Sequence, residues 1–177
     1  ATTYNVIRKF DVANDLVTDF IGTTSSDGSA DGTGNAARIG YAVGLAIDDT
    51  YLYYADHSYH VIKRVNLSTG VVTTIAGSAG NAGTSDGVGS AARFNNPNQL
   101  AFDGSNLYVL EYSYSSNYGL RKINLNTMEV TTVTRFIGYP TEEDGIFANS
   151  GYSELGKLVY ANGKLYFNSP SSIRVIN

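Results

Sequence analysis

Two histidines and a set of loop aspartates are the residues of this chain whose types could support metal or acid–base chemistry. His57 and His60 stand three positions apart, on what the sequence predicts to be one turn. A protein zinc site takes three or four convergent ligands, which this pair does not supply, and the chain contains no cysteine. No glycine-rich loop opens a helix as a phosphate cradle would. The sequence therefore predicts a protein that is not an enzyme.

Asp27, Asp31 and Asp86 lie in loops rich in glycine and serine. Carboxylates and backbone carbonyls in such loops can together bind Ca²⁺. The spacing DGSADG is not that of an EF-hand loop, and Asp-Gly is first of all a turn-forming pair. We expect these aspartates to shape turns, with Ca²⁺ as the alternative at the same three residues, and we expect no other cofactor.

An internal repeat defines the strands and turns that position these residues. DGTGNAARI begins at Asp31, and DGVGSAARF begins 55 positions later at Asp86. LAIDDTYLYYAD, from Leu45, is matched by LAFDGSNLYVLE, from Leu100, at the same spacing. A fixed period of tens of residues is the signature of a solenoid, a propeller or an array.

Short runs of strand character fill each repeat, separated by turns of Gly, Asn, Asp and Ser. Some runs alternate apolar and polar residues, and the Tyr-rich run at 51–56 is apolar almost throughout, as in strands covered on both faces. The prediction is an all-β chain, a single β-propeller segment over 1–177 built of four-stranded antiparallel blades. About three blades are expected, from repeats at approximately 1–22 (partial), 23–77, 78–138 and 139–177 (incomplete).

The motifs DGxGxAARF, LYVAD, HxIRKI and TGxVTTIAG together resemble the NHL-repeat family of β-propellers, in the glycine-rich form common in bacterial extracellular proteins. The resemblance covers essentially the whole chain and is weakest in the last repeat. It implies a complete ring of five or six blades, so three blades are an excerpt of a longer propeller, half of a ring closed by a second copy, or part of a stack. It also implies a structural role for His60, and the recurrence of Arg38 and Arg93 at one position indicates the same for them.

One face of the propeller is expected to carry both the blade-to-blade loops and the turns between second and third strands. Exposed Tyr and Asn side chains make adaptable binding surfaces. The sequence therefore predicts a non-enzymatic module that binds a protein or glycan partner through this face. The alternatives are a self-assembling subunit closed by pairing of incomplete blades, and a lyase or hydrolase whose site is completed by absent blades. The predicted ligand-binding residues are His57, Tyr59, Tyr112, Tyr114, Asn117 and Tyr118.

Charge and hydropathy exclude two classes of partner. The net charge is −4 and the pI is near 5.0, which is unsuited to binding a nucleic-acid backbone. No apolar run approaches the length of about 20 residues that spans a bilayer. A surface of Ser, Thr, Asn, Gly and Tyr favours an extracellular or cell-surface location, and self-association is expected from the incomplete blades.

Overall fold

A computed structural model describes residues 5–113, 117–137, 156–168 and 173–176 of the protein. The described residues form antiparallel sheets joined by turns and two single-turn 3-10 segments. This confirms the prediction of an all-β chain built of partial propeller blades. The strands are β1 Val6–Asp11, β2 Leu16–Gly22, β3 Gly32–Thr33, β4 Ala42–Ile47, β5 Tyr51–Asp56, β6 Val61–Asn66, β7 Val71–Gly77, β8 Gly87–Val88, β9 Pro97–Phe102, β10 Asn106–Ser113, β11 Asn117–Asn124, β12 Glu129–Ile137, β13 Leu158–Ala161, β14 Lys164–Asn168 and β15 Ile173–Ile176.

Each blade is an antiparallel meander in which consecutive strands are neighbours. We call β4-β5-β6-β7 blade 1, β9-β10-β11-β12 blade 2, β13-β14-β15 blade 3, and β1-β2 the N-terminal pair. The meander forms because side-chain oxygens stabilise its tight turns. Asp48 accepts hydrogen bonds from the amides of Thr50 (2.7 Å) and Tyr51 (2.6 Å) in the turn between β4 and β5. Such Asx turns make the chain reverse without a longer loop.

The loops that begin with Asp-Gly depart from the sequence-based expectation. They are not only connections, because each adds a two-residue strand to the outer edge of the blade that follows it. Gly32 pairs with Val72 of blade 1, and Gly87 pairs with Val130 of blade 2. Both sheets therefore have five strands instead of four. The outermost strand of a blade is partly paired at its outer edge, which limits pairing with other chains.

The hydrophobic core lies between successive blades. One cluster joins the N-terminal pair to blade 1 through Ile21 and Val65. A second joins blades 1 and 2 through Ile62 and Phe94, and a third joins blade 2 to blade 3. The first strands of successive blades also touch, since β4 contacts β9 and β9 contacts β13.

Close approach of these first strands requires a small residue at one position. A Cβ atom at Gly44 in β4 would overlap the backbone of Asn98 in β9. Glycine there lets the two strands approach near the propeller axis. Within the part of the chain described here, no helix has the length and apolar character needed to cross a membrane.

Candidate functional site

The turn between β5 and β6 carries His57 and Tyr59 at one end of blade 1. It is held by Asp56, whose carboxylate accepts hydrogen bonds from the amides of Gly40 (3.0 Å) and Tyr59 (3.2 Å). Burial raises the pKa of Asp56, although these amides oppose the shift. The Tyr59 hydroxyl donates to Asp27 in the preceding blade-to-blade loop at 3.3 Å. The structure thus places a second-to-third-strand turn and a blade-to-blade loop on the same face, which we call the loop face.

Both histidines of this turn contact Asn96, which lies just before the first strand of blade 2. The backbone amide of Asn96 donates to Nδ1 of His60 at 3.2 Å. The side-chain nitrogen of Asn96 lies 2.9 Å from Nε2 of His57. Burial lowers the pKa of each histidine, and the charge of His60 lowers that of His57 further. The contacts of both imidazoles with Asn96 fasten blade 1 to blade 2. His57 and His60 thus share one contact residue, and the structural role of His60 stays a prediction.

The two ends of the Tyr-rich segment 112–118 of blade 2 extend its second and third strands. The pairing of β10 with β11 continues beyond Glu111, with Tyr112 opposite Tyr118 and Ser113 opposite Asn117. In blade 1 the corresponding pairing stops at Asp56. Two additional residue pairs lengthen this hairpin by about 7 Å relative to its counterpart. The sequence alone suggested a loop because three inserted residues between recognisable strands look like a longer connection.

The individual ligand-binding residues predicted on this hairpin fall largely beyond the described structure. Tyr114 lies outside the described residues, as do the side chains of Tyr112, Asn117 and Tyr118. The structure thus brings His57 and Tyr59 together as half-buried residues of the loop face. The binding role of all six residues stays a prediction.

The carboxylates of Asp31 and Asp86 are engaged by protein donors. Asp31 accepts hydrogen bonds from the Lys63 ammonium (2.6 Å) and from the Thr74 hydroxyl (2.8 Å) and amide (2.9 Å). Asp86 makes the same three kinds of contact with Arg121 and Thr132. Desolvation raises the pKa of both carboxyls, but these donors outweigh it and hold each pKa below its ordinary value.

These contacts bear on Ca²⁺ binding at Asp27, Asp31 and Asp86. A cation at Asp31 or Asp86 would have to displace a lysine or an arginine from the carboxylate. Asp27 is exposed, and one of its oxygens accepts from the Gly28 amide at 2.8 Å. Among the residues described, no group of three or more His, Asp or Glu side chains is arranged to hold a metal ion. Calcium at these aspartates stays a prediction without a preformed ligand set.

Arg38 and Arg93 stabilise the loops in which they lie. The Arg38 guanidinium donates to the carbonyls of Asn35 (3.0 Å), Ala36 (3.2 Å) and Ala37 (3.0 Å). Arg93 donates in the same way to carbonyls of its own loop. These bonds satisfy carbonyls that the 3-10 turns leave unpaired. Each of these contacts lies within one loop, and the structural role that recurrence indicated for both arginines stays a prediction.

Residues that carry most of the buried charge were not identified from the sequence. Lys63 and Arg121 occupy equivalent positions in the third strands of blades 1 and 2, and both are fully buried. Arg121 donates to Asp86 (2.8 Å) and to Glu111 (3.3 Å), and Glu111 is itself buried. The sequence held one signal for this burial. Each of these two repeats has a basic residue at the same position of its third strand and an acidic residue, Asp56 or Glu111, near the end of its second strand.

One pentapeptide of the chain has the letters of a nucleophile elbow. Gly83–Gly87 reads Gly-Thr-Ser-Asp-Gly. A true elbow places its serine on a sharp turn from a strand into a helix. Here the segment leads into the two-residue strand β8, and the Ser85 carbonyl accepts a hydrogen bond from Arg121 at 3.0 Å. The pentapeptide is part of the contacts, which we call the blade clamp, that join an Asp-Gly loop to the third and fourth strands of its blade; in blade 2 they link Asp86 to Arg121 and Thr132.

Comparison with known proteins identifies relatives of the repeat. No protein-family profile matches the chain. NHL repeat-containing protein 2 from Homo sapiens is 29% identical over 133 residues, and its counterpart from Bos taurus is 33% identical over 123 residues. These matches cover 74% and 67% of this chain but only 18% and 16% of those proteins. The chain therefore corresponds to less than a fifth of the curated relatives that it matches.

Solved structures share the architecture at lower identity. A protein of unknown function from Bacteroides thetaiotaomicron superposes with a TM-score of 0.71 at 20% identity, covering 98% of this chain and 42% of that one. An auxiliary nutrient binding protein from the same species gives 0.63 at 16% identity, covering 93% and 40%. A virginiamycin B lyase from Staphylococcus aureus gives 0.50 at 12% identity, covering 94% and 49%. At these identities the likeness shows the fold alone.

Proposed function

The chain belongs to the NHL-repeat family of β-propeller proteins, and from this premise we propose that it is a non-enzymatic module that binds a protein or glycan partner through its loop face. The observation that carries the proposal is the contrast between scaffold and surface. Four charged residues that recur in the repeat are engaged in contacts within the blades, namely Asp31, Lys63, Asp86 and Arg121. On the loop face, blades 1 and 2 differ at the tip of the second-to-third-strand hairpin.

The lengthened hairpin gives the loop face a specific shape. The turn of blade 1 presents half-buried His57 and Tyr59, whereas the β10–β11 hairpin of blade 2 extends two residue pairs farther. A ridge beside a lower, aromatic surface offers a partner more contact area than a flat end would. Tyrosine supplies such area at a low cost in conformational entropy. The name of the nutrient binding neighbour is consistent with a binding role for this fold.

The test compares the loop face with the opposite face of the same protein. The wild type, a variant with Tyr59, Tyr112, Tyr114 and Tyr118 changed to Ala, and an Asp49→Ala/Ser68→Ala control would be screened against defined oligosaccharides and a peptide display library. We expect at least one binder whose affinity falls about tenfold or more in the Tyr variant and is unchanged in the control. The proposal fails if neither library yields a binder, or if the Tyr variant binds as the wild type does.

Self-assembly is the second candidate, favoured by apolar side chains exposed on the outer units. Phe10 and Val17 of the N-terminal pair are 54% and 56% exposed, and Ile173 of blade 3 is 78% exposed. Neighbouring blades, from a longer chain or from a second copy, would cover them. However, β1 and β15 occupy the same third-strand position in their blades, so two copies joined end to end would supply that strand twice. Light scattering at micromolar concentration would reveal assembly if it occurs, and a strict monomer would exclude it for this chain.

A further inference from the structure

A cavity of about 400 Å³ opens between blades 1 and 2 on the face opposite to the loop face. Its rim is formed by the turns that join first to second strands and third to fourth strands. This volume lies within the range of small-molecule sites, about 300–1,000 Å³. The lining side chains that matter below are Tyr51, Tyr53, Arg64, Phe102, Ser105 and Asn126.

Arg64 is held in a fixed orientation at the wall of this cavity. Its Nε donates to the Thr73 hydroxyl at 3.1 Å, and its guanidinium carbon lies 4.6 Å from the centre of the Tyr51 ring. Within the described residues, the two terminal guanidinium nitrogens donate no hydrogen bond to the protein. The side chain is therefore oriented through one nitrogen and one ring, with the forked end of the guanidinium open.

Asp48 lies near Arg64 and lines the same cavity, but its carboxylate serves the turn. It accepts the two amide hydrogen bonds of the Asx turn and a third from the Tyr53 hydroxyl at 2.8 Å. Burial raises the pKa of Asp48, yet these three donors outweigh burial and leave the pKa below its ordinary value. Asp48 forms no ion pair with Arg64 among those of the described residues. The guanidinium thus keeps unused hydrogen-bonding capacity, with the charge of Asp48 nearby.

The next junction, between blades 2 and 3, provides an internal reference. Its aromatic pair is retained, because Tyr108 stacks on Tyr160 at 6.4 Å as Tyr53 stacks on Phe102 at 6.2 Å. Its Asx turn is retained as well, at Asp103.

Two of the positions that differ between the junctions are those of the guanidinium and of the ring beneath it. Tyr51 corresponds to Asn106 and Arg64 corresponds to Lys122, as the strand registers show. The repeat therefore departs from itself at the guanidinium and at the ring that supports it. The second junction packs without a tyrosine or an arginine at these positions, so packing of the blades does not require them.

From this arrangement we propose that the cavity binds a carboxylate-bearing sugar, a hexuronic acid unit. The open fork of Arg64 matches a carboxylate in the bidentate geometry that a guanidinium favours. Ser105 and Asn126 line the cavity and carry donors and acceptors that ring hydroxyls can use, and Phe102 and Tyr51 present aromatic surface to the C–H groups of a pyranose ring. The site lies on the face that the proposed partner surface does not use, so it is a second binding function.

Titration calorimetry and saturation-transfer NMR with the wild type would test the site against glucuronate, galacturonate, glucose, acetate and inorganic phosphate. We expect both uronates to bind at least about tenfold more tightly than glucose or acetate. Equal binding of glucose would overturn the role of Arg64, equal binding of acetate or phosphate would overturn the sugar assignment, and no binding would overturn the site.

The double variant Tyr51→Asn/Arg64→Lys installs the residues of the second junction. Because blade 2 already folds with those residues, we expect the variant to keep its thermal midpoint and to lose uronate affinity by about tenfold or more. Lys122→Ala is the matched control and should bind uronate as the wild type does. Retained affinity in the double variant would overturn the proposal. The Tyr variant of the loop face should also retain uronate binding, which separates this proposal from the partner-binding function.

Discussion

Blades 1 and 2 fasten their Asp-Gly loops with different cations, and the difference shows how one repeat tolerates two buried charge arrangements. In blade 1 the ammonium of Lys63 contacts Asp31 and the carbonyl of Ser29 at 2.9 Å. The buried carboxylate of that blade, Asp56, accepts hydrogen bonds from backbone amides. One cation therefore meets one carboxylate in blade 1.

In blade 2 the guanidinium of Arg121 joins both carboxylates. It donates to Asp86, to Glu111 and to the carbonyls of Ser85 and Arg93. The planar fork of arginine reaches several acceptors at once, and the longer side chain of glutamate brings its carboxylate within reach. Blade 2 thus has a network where blade 1 has a single pair. Among the described residues, the equivalent Arg8 of the N-terminal pair forms an exposed ion pair with Asp19.

The largest effect expected from this contrast is that of Arg121→Met. The substitution leaves buried Glu111 without its cation, and breaking a buried pair from one side costs about 3–5 kcal/mol. Lys63→Met should cost less, about 1–2 kcal/mol, since the Asp31 side chain is 45% exposed and keeps its two bonds from Thr74. Chemical denaturation of the two variants measures both losses. Equal losses of stability in the two variants would show that the network of blade 2 stabilises the protein no more than the single pair of blade 1.

An intermediate effect is expected when the cations are exchanged. Arg121→Lys should retain the contact with Asp86, as Lys63 does with Asp31, but leave Glu111 unpaired, at a cost of about 1.5–3 kcal/mol. Combined with Glu111→Asp, it recreates the residues of blade 1. A double-mutant cycle measured by denaturation should then show a total loss smaller than the sum of the two single losses. An additive cycle would mean that Arg121 and Glu111 do not depend on each other.

The smallest effect concerns the histidine contact between the blades. Since burial lowers the pKa of His57 and His60, the unfolded chain takes up protons more readily than the folded one. The stabilising contribution is complete above the ordinary pKa of 6.5 and declines as the pH falls below it. Hydrogen exchange of the Asn96 amide, corrected for intrinsic rates, should therefore be faster at pH 5.5 than at pH 7.5. The Arg93 amide, which donates to the Ser85 carbonyl at 2.9 Å, is the control and should change less. The same acceleration at both amides would locate the effect elsewhere.

The sequence was sufficient for the architecture because the repeat displays its strands and turns directly. The runs from Leu45 and Leu100 align without gaps, and both form first and second strands of their blades. The added two-residue strands were not foreseen, since Gly-Thr and Gly-Val have no strand pattern of their own. They pair because a neighbouring aspartate is bonded to the outer strand, a contact between residues 43 or 46 positions apart.

The candidate site was predicted only in part, for a related reason. That the turns and blade-to-blade loops share a face follows from strand order. Strand order does not tell which of two adjacent basic residues is buried. Lys63 is enclosed, whereas Arg64 lines the cavity on the face opposite to the loop face. The role of Asn96 depends on the distance between two blades, which no local pattern records. Such pairings become visible only once the blades are packed together.

The short strands that precede blades 1 and 2 have a consequence for how such a chain can grow. Asp31, Lys63 and Thr74 all lie within residues 23–77, and the corresponding clamp of blade 2 lies wholly within 78–138. A gene duplication or deletion that copies or removes one such segment therefore carries every member of the clamp with it. Blade number can change by whole units without leaving a buried cation or carboxylate unpartnered. Only the contacts between units, such as those made by the histidines, must then be refitted by mutation.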